Sequence, residues 1–541
     1  ARACPECHGS GLNPTARAFY VHGHNIFELG EMEIADLLAF FRSLAVTAAE
    51  QAVARPILPQ IVQRLESFVT LNLGYVTLNR KLRTISGGEL QRARLVSQLG
   101  FSLNGIIYIL DEPSIGMHFS EQLNLLGILR RLRENGNTLI VVEHDEETIR
   151  SADYIIDIGP GAGEKGGEVV FAGPFSDFAA SGSLTADSVF GRRQIETAGN
   201  GVKKAPADFV AIRALAINNL KNIDLRIPLN RLTVVSGVSG SGKSSLVVDA
   251  LVPILLREIE GRPGLDPRLT YASAITGPLR RVLMVNQSAI GRNSRSCPAT
   301  YIGIMAMIRD FFAALPAAKV KGYGQGRFSF NVRGGRCEAC QGLGVQQLPM
   351  GFLPQLEVDC PVCAGRRFNS ETLQVRFKGL SIADVLELTA SEAYELFINI
   401  PMLARKIRIL IDVGLGYLRL GQSSETLSGG ESQRIKLTKE LARHSAATTL
   451  YVLDEPTVGL HFDDVRKLIA VFRALLDRGH TVVVIEHNLE MMRVADHLID
   501  LGPGGGRHGG KIVYQGPITG IGNCPGSITG TYLKKKLVDG R

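Results

Sequence analysis

A long internal repeat constrains the fold of this chain more than any other feature. The stretch "TISGGELQRARL" returns as "TLSGGESQRIKL", and each copy is followed by an apolar segment that ends in "LDEP". Ser86 lies 342 residues before Ser428, and His144 lies 343 residues before His487. A nearly constant spacing between matched motifs is typical of a tandem duplication. We therefore expect two copies of one α/β unit joined in a single chain.

The phosphate-binding motif occurs once in the sequence. "GVSGSGKSS" fits the pattern G-x-x-x-x-G-K-S and lies between an apolar strand-like stretch and a helix-like stretch, the context that this motif requires. Its glycines allow backbone N–H groups to surround phosphates, its lysine reaches the β- and γ-phosphates, and its serine hydroxyl binds Mg²⁺. The residues assigned to this loop are Gly237, Gly240, Gly242, Lys243, Ser244 and Ser245.

The first copy should have a phosphate loop of its own. In the second copy the loop begins 123 residues before Cys360, whereas only three residues precede Cys4, the matching position of the first copy. We therefore expect the first phosphate loop to lie upstream of residue 1.

Two carboxylates end an apolar strand in each copy. We expect Asp454 to hold Mg²⁺ and Glu455 to polarise the attacking water, because phosphoryl transfer depends on positioning and charge compensation. The alternative is an ordinary pair of acids near a helix N-terminus. The corresponding acids of the first copy are Asp111 and Glu112.

A histidine ends the next strand of each copy. His144 and His487 follow "TLIVVE" and "TVVVIE" at the same distance from the acids, so we expect them to contact the γ-phosphate rather than to be merely structural. Gln287 in "MVNQSAIG" is a further candidate for sensing Mg²⁺ and the attacking water.

The "SGGE-Q" element begins a helix in each copy. A serine at this position can cap the helix, and the positive end of the helix dipole suits a phosphate; a simple helix cap is the alternative. The order of phosphate loop, SGG-E-Q, LDEP and histidine resembles that of ATP-binding-cassette ATPases. In that family two cassettes meet head to tail, so that the signature of one closes the nucleotide site of the other.

This resemblance implies two composite sites. One site would combine Lys243, Gln287, Asp454, Glu455 and His487 with Ser86, Gly87 and Gly88. The other site would combine Asp111, Glu112 and His144 with Ser428, Gly429 and Gly430.

Six of the eight cysteines form C-x-x-C pairs. Cys337 and Cys340 are followed after 19 residues by Cys360 and Cys363, which is the spacing of a structural zinc site. Reduced structural thiols are the alternative. Cys4 and Cys7 match the second half of such a site, whose first half we expect upstream.

The net charge of +8 is concentrated in one window. Residues 280–367 contain 12 Lys and Arg against 4 Asp and Glu, an excess equal to that of the whole chain. This window is either a solvated basic face or a nucleic-acid contact region, and we favour the second. The candidate phosphate contacts are Lys319, Lys321, Arg327, Arg333, Arg336, Arg366 and Arg367, and we expect the interleaved aromatic side chains of Tyr323, Phe328, Phe330 and Phe368 to pack the core rather than stack on bases.

Because it has a zinc module between the phosphate loop and the signature, the chain resembles the UvrA family. This family is the damage-recognition component of the UvrABC excinuclease of nucleotide excision repair. The resemblance covers nearly the whole chain, including "NNLKNIDLRIPLNRLTVVSGVSGSGKSSLV" and "GYGQGRFSFNVRGGRCEACQGLG". The family usually has Asp in place of Asn286 and Asn or a similar residue in place of Cys297, which suggests a divergent short paralogue.

The resemblance implies an ATP hydrolase without nuclease activity of its own. It implies ATP, Mg²⁺ and Zn²⁺ as cofactors, a homodimer, a cytoplasmic location, and binding of damaged double-stranded DNA through its shape. The family's UvrB-binding domain lies before the residues of this sequence, so UvrB as a partner rests on the family alone.

The expected organisation is a tandem of α/β cassettes with inserted helical signature domains and zinc modules. Residues 1–180 form the C-terminal part of the first cassette, 181–208 a linker, and 209–541 the second cassette, with the zinc module and signature domain in 280–425. The apolar runs are strand-sized, and neither a membrane span nor a signal peptide is predicted.

Three rival classes share some of these motifs. Soluble tandem cassettes of drug resistance or translation lack the four-cysteine module. The ATPase half of a transporter does not explain that module either. SMC-type ATPases carry long heptad arms, which are absent from this sequence.

Overall fold

The structure is a computed structural model that describes residues 4–48, 50–85, 87–99, 104–161, 166–193, 206, 208–275, 277–286, 290–291, 295–348, 356–442 and 447–538. Its helices are α1 (Pro14–Arg17), α2 (Ile26–Glu31), α3 (Ile34–Arg42), α4 (Gln51–Thr70), α5 (Gly87–Leu99), α6 (Phe119–Glu134), α7 (Glu146–Arg150), α8 (Phe175–Phe178), α9 (Leu184–Val189), α10 (Val252–Glu260), α11 (Pro298–Tyr301), α12 (Ile304–Ala314), α13 (Pro316–Val320), α14 (Ser370–Leu373), α15 (Ile382–Glu387), α16 (Ala390–Leu396), α17 (Pro401–Asp412), α18 (Gly429–Leu441), α19 (Phe462–Asp477), α20 (Leu489–Arg493), α21 (Ile518–Ile521) and α22 (Ile528–Val538).

The strands are short and lie between these helices. They are β1 (Tyr20–Val21), β2 (His24–Asn25), β3 (Ile107–Asp111), β4 (Thr138–Val142), β5 (Tyr154–Gly159), β6 (Glu168–Pro174), β7 (Phe209–Ile217), β8 (Leu220–Pro228), β9 (Leu232–Gly237), β10 (Thr270–Ile275), β11 (Arg281–Val285), β12 (Val345–Leu348), β13 (Leu356–Asp359), β14 (Arg376–Phe377), β15 (Leu380–Ser381), β16 (Thr449–Asp454), β17 (Thr481–Ile485), β18 (His497–Gly502) and β19 (Lys511–Gly516). Among the helices of the described residues, none combines the length and hydropathy that a membrane span needs.

The chain divides into two compact units that do not follow its linear order. The first unit contains Ala1–Ile155, Val189–Gly277 and Val484–Arg541, and the second contains Ile156–Ser188 and Pro278–Val483. Each unit therefore combines segments of both sequence copies.

The first unit holds the phosphate loop. Strands β10, β7 and β8 form an antiparallel sheet in that order. Strand β9 pairs in parallel with β18, placing Val235 opposite Ile499, and β18 pairs antiparallel with β19. All six residues of β9 are buried, as is typical of a strand within a parallel sheet.

The first-copy part of this unit has two apolar clusters. One includes Leu71, Leu95 and Leu125, and the other includes Leu37 and Leu65 of α3 and α4. Strands β3 and β4 are parallel, but of the five residues of β3 only Leu110 is buried.

The second unit holds the zinc module and the second signature helix. Strand β11 pairs in parallel with β16, so that Leu283 lies opposite Tyr451. The five residues of β16 that precede Asp454 are all buried, in contrast to β3. Strands β12 and β13 form an antiparallel pair next to the cysteines.

The predicted linker of residues 181–208 contains helical structure. Helix α9 occupies Leu184–Val189, although the surrounding sequence is rich in small and polar residues. Residues 194–205, the "QIETAGNGVKKA" part of that prediction, and residue 207 lie outside the described residues.

Candidate nucleotide site and metal centre

The phosphate loop connects buried strand β9 to a π-helical segment, Ser245–Leu251. Its glycines have φ angles of 137° at Gly237, 71° at Gly240 and 108° at Gly242, a region that side-chain-bearing residues rarely adopt. A Cβ atom on Gly237 would lie 2.1 Å from the carbonyl oxygen of Leu501. The loop conformation therefore requires glycine at this position.

Lys243 is buried within its own loop. Its Nζ donates hydrogen bonds to the carbonyl oxygens of Gly237 at 2.8 Å and of Val238 at 3.0 Å. Ser244 is exposed, and the hydroxyl of Ser245 accepts a hydrogen bond from the side-chain amide of Asn218 at 3.1 Å. The residue types and the backbone geometry at these positions fit a phosphate group.

A buried ionic network holds the phosphate loop from the side of the first copy. Glu121, at the start of α6, accepts hydrogen bonds from the backbone N–H of Ser239 at 2.9 Å and from its hydroxyl at 2.5 Å. Arg92, on signature helix α5, donates to Glu121 at 3.0 Å and to the Ser239 hydroxyl at 2.9 Å. Glu121 and Arg92 are only 3% and 2% exposed.

The ionised form of Glu121 is favoured despite its burial. Burial alone would raise its pKa, but the Arg92 guanidinium and the hydrogen bond from Ser239 hold the pKa below its ordinary value. The carboxylate therefore links the signature helix of the first copy to the phosphate loop of the second.

A tyrosine from the repeated "LGY" motif also contacts the loop. A Cβ atom on Gly240 would lie 2.4 Å from Cζ of Tyr75, so the ring packs directly on the loop backbone. The Tyr75 hydroxyl donates to Glu89 of α5, and in the second copy Tyr417 donates to Glu431 at 2.7 Å. Both copies thus brace the signature helix with the same tyrosine–glutamate pair.

His487 lies in a turn that a buried glutamate shapes. Glu486 accepts hydrogen bonds from the backbone N–H groups of His487 at 2.9 Å and of Asn488 at 3.1 Å. Neither ring nitrogen of His487 has a hydrogen-bond partner among the described residues. Burial holds the pKa of His487 well below its usual value, with the Lys243 charge acting in the same direction, so the imidazole is neutral.

The acids of the first copy lie at the end of β3. Glu112 has a φ of 43°, a strained conformation for a side-chain-bearing residue, and its carboxylate lies 3.6 Å from Nε2 of His144. Burial raises the pKa of Glu112, although the nearby His144 opposes this. Gln91 of α5 donates to the carbonyl oxygens of Asp111 at 3.0 Å and of Glu112 at 2.9 Å.

The second copy repeats this geometry in the second unit. Glu455 has a φ of 46°, and Gln433 of α18 donates to the carbonyl oxygen of Asp454 at 3.1 Å. Ser428 caps α18 by accepting a hydrogen bond from the backbone N–H of Glu431 at 3.2 Å.

The second glycine after the signature serine packs closely against the segment that follows the LDEP motif. Gly429 begins α18, and a Cβ atom on Gly430 would lie 3.1 Å from the carbonyl oxygen of Val458. The same contact occurs in the first copy, where a Cβ atom on Gly88 would lie 3.0 Å from the carbonyl oxygen of Ile115.

Two predicted nucleotide-site residues fall outside the described residues. These are Ser86 and Gln287. Gly87 begins α5.

The four cysteines of the second copy form a compact cluster. Their Sγ atoms all lie within 4.8 Å of one another, with 4.0 Å between Cys337 and Cys360 and 3.7 Å between Cys340 and Cys363. Four thiolates at about 2.3 Å from one zinc ion would lie about 3.8 Å apart, so the cluster fits tetrahedral zinc. The backbone N–H of Gly344 also points at Cys340 Sγ, at 3.3 Å.

The first-copy cysteines are arranged differently. Cys4 is exposed and Cys7 is half-buried, and among the described residues they belong to no group of potential ligands. Cys297 is buried, where it precedes α11, and Cys524 donates to the carbonyl oxygen of Val513 at 3.6 Å.

The predicted basic contacts divide into two groups. Exposed side chains belong to Lys319, Lys321, Arg333 and Arg366, of which Lys321 donates to Gln374 at 2.6 Å and Arg366 lies 3.9 Å from Asp384. The other three are partly buried and engaged: Arg327 pairs with Glu371, Arg336 pairs with Glu338, and Arg367 stacks on Phe330.

The aromatic side chains of this region pack inside the zinc module. Phe328, Phe330 and Phe368 are buried, and the rings of Phe330 and Phe368 lie 6.0 Å apart. Tyr323 is half-buried beneath the guanidinium of Arg327. These rings therefore build the core of the module rather than a stacking surface.

The sequence motifs did not reveal the Arg92–Glu121–Ser239 network. Each residue lies near a recognised motif, but a single sequence does not show which side chains of one copy meet the other copy. The sequence signal that could have indicated this network was the match between "SIGMHFSE", which contains Glu121, and "TVGLHFDD" in the other copy.

Comparison with known proteins supports one family. The chain is 49% identical to the UvrABC system protein A of Methanothermobacter thermautotrophicus over 541 residues, covering 100% of this chain and 56% of that protein. It is 49% identical to the protein of the same name from Thermus thermophilus over 546 residues, again covering 56% of the relative. The chain thus spans little more than half the length of these curated relatives, and no family model matches it.

A solved structure agrees with the sequence comparison. The crystal structure of UvrA2 from Deinococcus radiodurans superposes with a TM-score of 0.90 at 42% identity, covering 99% of this chain and 66% of that chain. This likeness confirms the predicted α/β fold with ATP-binding cassettes.

The ionic network generates a prediction about stability. Arg92→Ala should lower the free energy of unfolding by about 3–5 kcal/mol, because it leaves the Glu121 carboxylate buried without its partner. Arg94→Ala, an exposed neighbour on the same helix, should change it by less than about 0.5 kcal/mol. Denaturant or thermal unfolding of both variants measures the difference.

The pH dependence follows from the lowered pKa of Glu121. In the unaltered protein, the contribution of the Arg92–Glu121 network to the free energy of unfolding should be fully present above the ordinary glutamate pKa of about 4.3. It should be lost as the pH falls through the lower pKa of Glu121 in the folded state. Equal stability of the Arg92 and Arg94 variants across this range would contradict the assigned network.

The cysteine cluster generates a second prediction. Cys360→Ser should remove one equivalent of zinc per chain and destabilise the module, because a closed structural site needs all four thiolates. Elemental analysis and thermal unfolding measure the two effects. Cys524→Ser is the matched control, and zinc retention by the Cys360 variant would contradict the assigned site.

Proposed function

Because the chain belongs to the UvrA family, we propose that it is the ATP-hydrolysing, damage-recognising part of a nucleotide excision repair protein that binds distorted duplex DNA. The observation that carries the nucleotide part is the contact between a signature helix of one copy and the phosphate loop of the other. Arg92 reaches Ser239 at 2.9 Å, which is the head-to-tail relation expected of paired cassettes.

The proposed chemistry distributes roles over matched residues. The loop residues Gly237, Gly240, Gly242 and Lys243 surround the phosphates, and Ser244 and Asp454 serve Mg²⁺. Glu455 polarises the attacking water, Gln287 senses it, and the neutral imidazole of His487 contacts the γ-phosphate. Asp111, Glu112 and His144 have the same roles in the other site, with Ser86, Gly87, Gly88, Ser428, Gly429 and Gly430 as the signature residues.

Magnesium supplies charge compensation for the phosphoryl group when it is bound. Glu112 and Glu455 both have left-handed backbone conformations at the ends of their strands. Such strained positions recur at functional sites. The repetition of the same strain in both copies supports a catalytic assignment for this glutamate.

The DNA-binding part rests on the basic window of the zinc module. The exposed side chains of Lys319, Lys321, Arg333 and Arg366 are proposed as phosphate contacts, whereas Arg327, Arg336 and Arg367 are proposed to support the module through their partners. Zinc would hold the two knuckles together through Cys337, Cys340, Cys360 and Cys363. Contacts to phosphates without base readout suit recognition of DNA shape.

The wider assembly is also a proposal. We infer a cytoplasmic homodimer that binds damaged DNA and has no nuclease activity of its own, with UvrB as a partner on the basis of the family alone. Soluble cassettes of translation or drug resistance remain the contrasting class, since they require no preference for damaged DNA.

The first test is DNA binding by the complete protein. A duplex carrying one bulky adduct should bind more tightly than the unmodified duplex, and this preference should depend on ATP. Lys243→Ala should remove one bound nucleotide per chain and change that preference, whereas Lys511→Ala, an exposed lysine on β19, should change neither. Equal binding to both duplexes with and without ATP would overturn damage recognition.

The basic window gives a separate prediction. Reversing Lys319 and Arg333 to Glu should weaken binding to all duplexes and reduce the slope of log affinity against log salt by about 2, one unit for each phosphate contact. The double variant with Arg405→Glu and Lys511→Glu, both exposed and outside the window, is the control with the same change of net charge. An unchanged slope in the double variant would place the DNA surface elsewhere.

A further inference from the structure

A histidine follows the LDEP motif at the same distance in both copies. His118 and His461 are 343 residues apart, and each is the N-cap residue of the next helix, α6 or α19. In each case the ring accepts a backbone hydrogen bond at Nδ1, from Ser120 at 3.4 Å and from Asp463 at 3.3 Å. A neutral imidazole that accepts at Nδ1 carries its proton on Nε2.

The Nε2 proton of His118 has a specific acceptor. Nε2 lies 3.0 Å from Oγ1 of Thr529, and the Thr529 hydroxyl donates to Asp500 at 2.7 Å. Ser527 donates to the other oxygen of Asp500 at 2.6 Å. His118, Thr529 and Asp500 are 0%, 1% and 2% exposed, so the chain of hydrogen bonds is closed to solvent.

The same chain of hydrogen bonds occurs in the second unit. Nε2 of His461 lies 3.2 Å from Oγ1 of Thr185, and Thr185 donates to Asp157 at 3.0 Å. Thr185 lies at the start of α9 in "GSLT", which matches "GSIT" at the start of α22. Asp157 and Asp500 are 343 residues apart.

The two arrangements exchange partners between the sequence copies. His118 belongs to the first copy and meets a threonine and an aspartate of the second. His461 belongs to the second copy and meets the corresponding threonine and aspartate of the first. An arrangement that is repeated with reciprocal exchange does not arise from a single chance contact.

In the first unit this chain of hydrogen bonds continues to the phosphate loop. The backbone N–H of His118 donates to Oε2 of Glu121 at 3.0 Å. The same Oε2 atom accepts from the Ser239 hydroxyl and from Arg92. The orientation of the His118 segment therefore fixes the carboxylate that holds Ser239.

We propose that the His118–Thr529–Asp500 and His461–Thr185–Asp157 chains are reciprocal interlocks, by which each sequence copy positions the segment that follows the LDEP motif of the other. In the first unit the interlock positions the phosphate loop through Glu121 and Ser239. Thr529 is thus a positioning residue for nucleotide binding, and this role rests on the proposed function of the Lys243 loop.

The test compares two substitutions at Thr529 in the complete protein. Every protein in the comparison also carries Glu112→Gln. This change removes the proposed catalytic glutamate of the other site, so that ATP turnover reports on the site of the Lys243 loop. Thr529→Val keeps the side-chain shape but removes the hydroxyl, and should raise the KM for ATP about tenfold while kcat changes less than about twofold. Thr529→Ser keeps the hydroxyl and should restore the KM.

A control on the same helix separates this effect from general damage to α22. Thr531 is exposed, and Thr531→Val should leave both kinetic constants unchanged. A normal KM in the Thr529→Val protein overturns the inference. If that variant fails to fold, the comparison is made between Thr529→Ala and Thr529→Ser, which differ only in the hydroxyl, with the same outcomes.

A double-mutant cycle with Ser239→Ala tests the route of the effect. Because Glu121 holds Ser239 through both its hydroxyl and its backbone N–H, removing the hydroxyl removes part of this route, and the Thr529→Val effect on the KM should shrink. Additive effects of the two substitutions overturn the interlock but not ATP binding. Absence of ATP binding by the unaltered protein overturns both the interlock and the proposed function, so the two failures are distinguishable.

Discussion

The buried pair of Arg92 and Glu121 joins the phosphate loop of one sequence copy to the signature helix of the other. Removing two charges from water is costly, and hydrogen bonds to the charged atoms offset part of that cost, although Nε of Arg92 has no partner among the described residues. Here the carboxylate accepts from Ser239 twice, from Arg92 and from the backbone of His118. Because Arg92 and Glu121 belong to the first copy and Ser239 belongs to the second, the network couples the two copies physically.

This coupling explains why the compact units cut across the order of the chain. The first unit takes the signature helix and acidic strand of one copy together with the phosphate loop of the other. A tandem duplication makes such an exchange simple, because each copy supplies both halves of a contact. The reciprocal histidine, threonine and aspartate chains are the clearest result, since both units contain one.

Much of the fold could be predicted from the sequence, because the repeat fixes the order of motifs and the motifs require particular elements. The strand before Gly237, the helix after Ser428 and the four-cysteine cluster are present as predicted. Side-chain pairing across the chain could not be predicted in the same way. Arg327 and Arg336 counted toward the basic window, yet each is engaged by a nearby glutamate. Helix α9 was likewise hidden within a polar stretch, although its match to "GSIT" was visible in the sequence.

The two interlocks are not equivalent, and the difference has a physical meaning. Both oxygens of Asp500 accept hydrogen bonds from hydroxyl groups, whereas Oδ2 of Asp157 has no partner among the described residues. His118 is fully buried, while His461 is partly accessible. A buried network with every member satisfied is rigid, and one with an unsatisfied atom is easier to rearrange. Within the described part of the chain, the same sequence device therefore gives the aspartate of the first interlock two hydroxyl donors and the aspartate of the second interlock one.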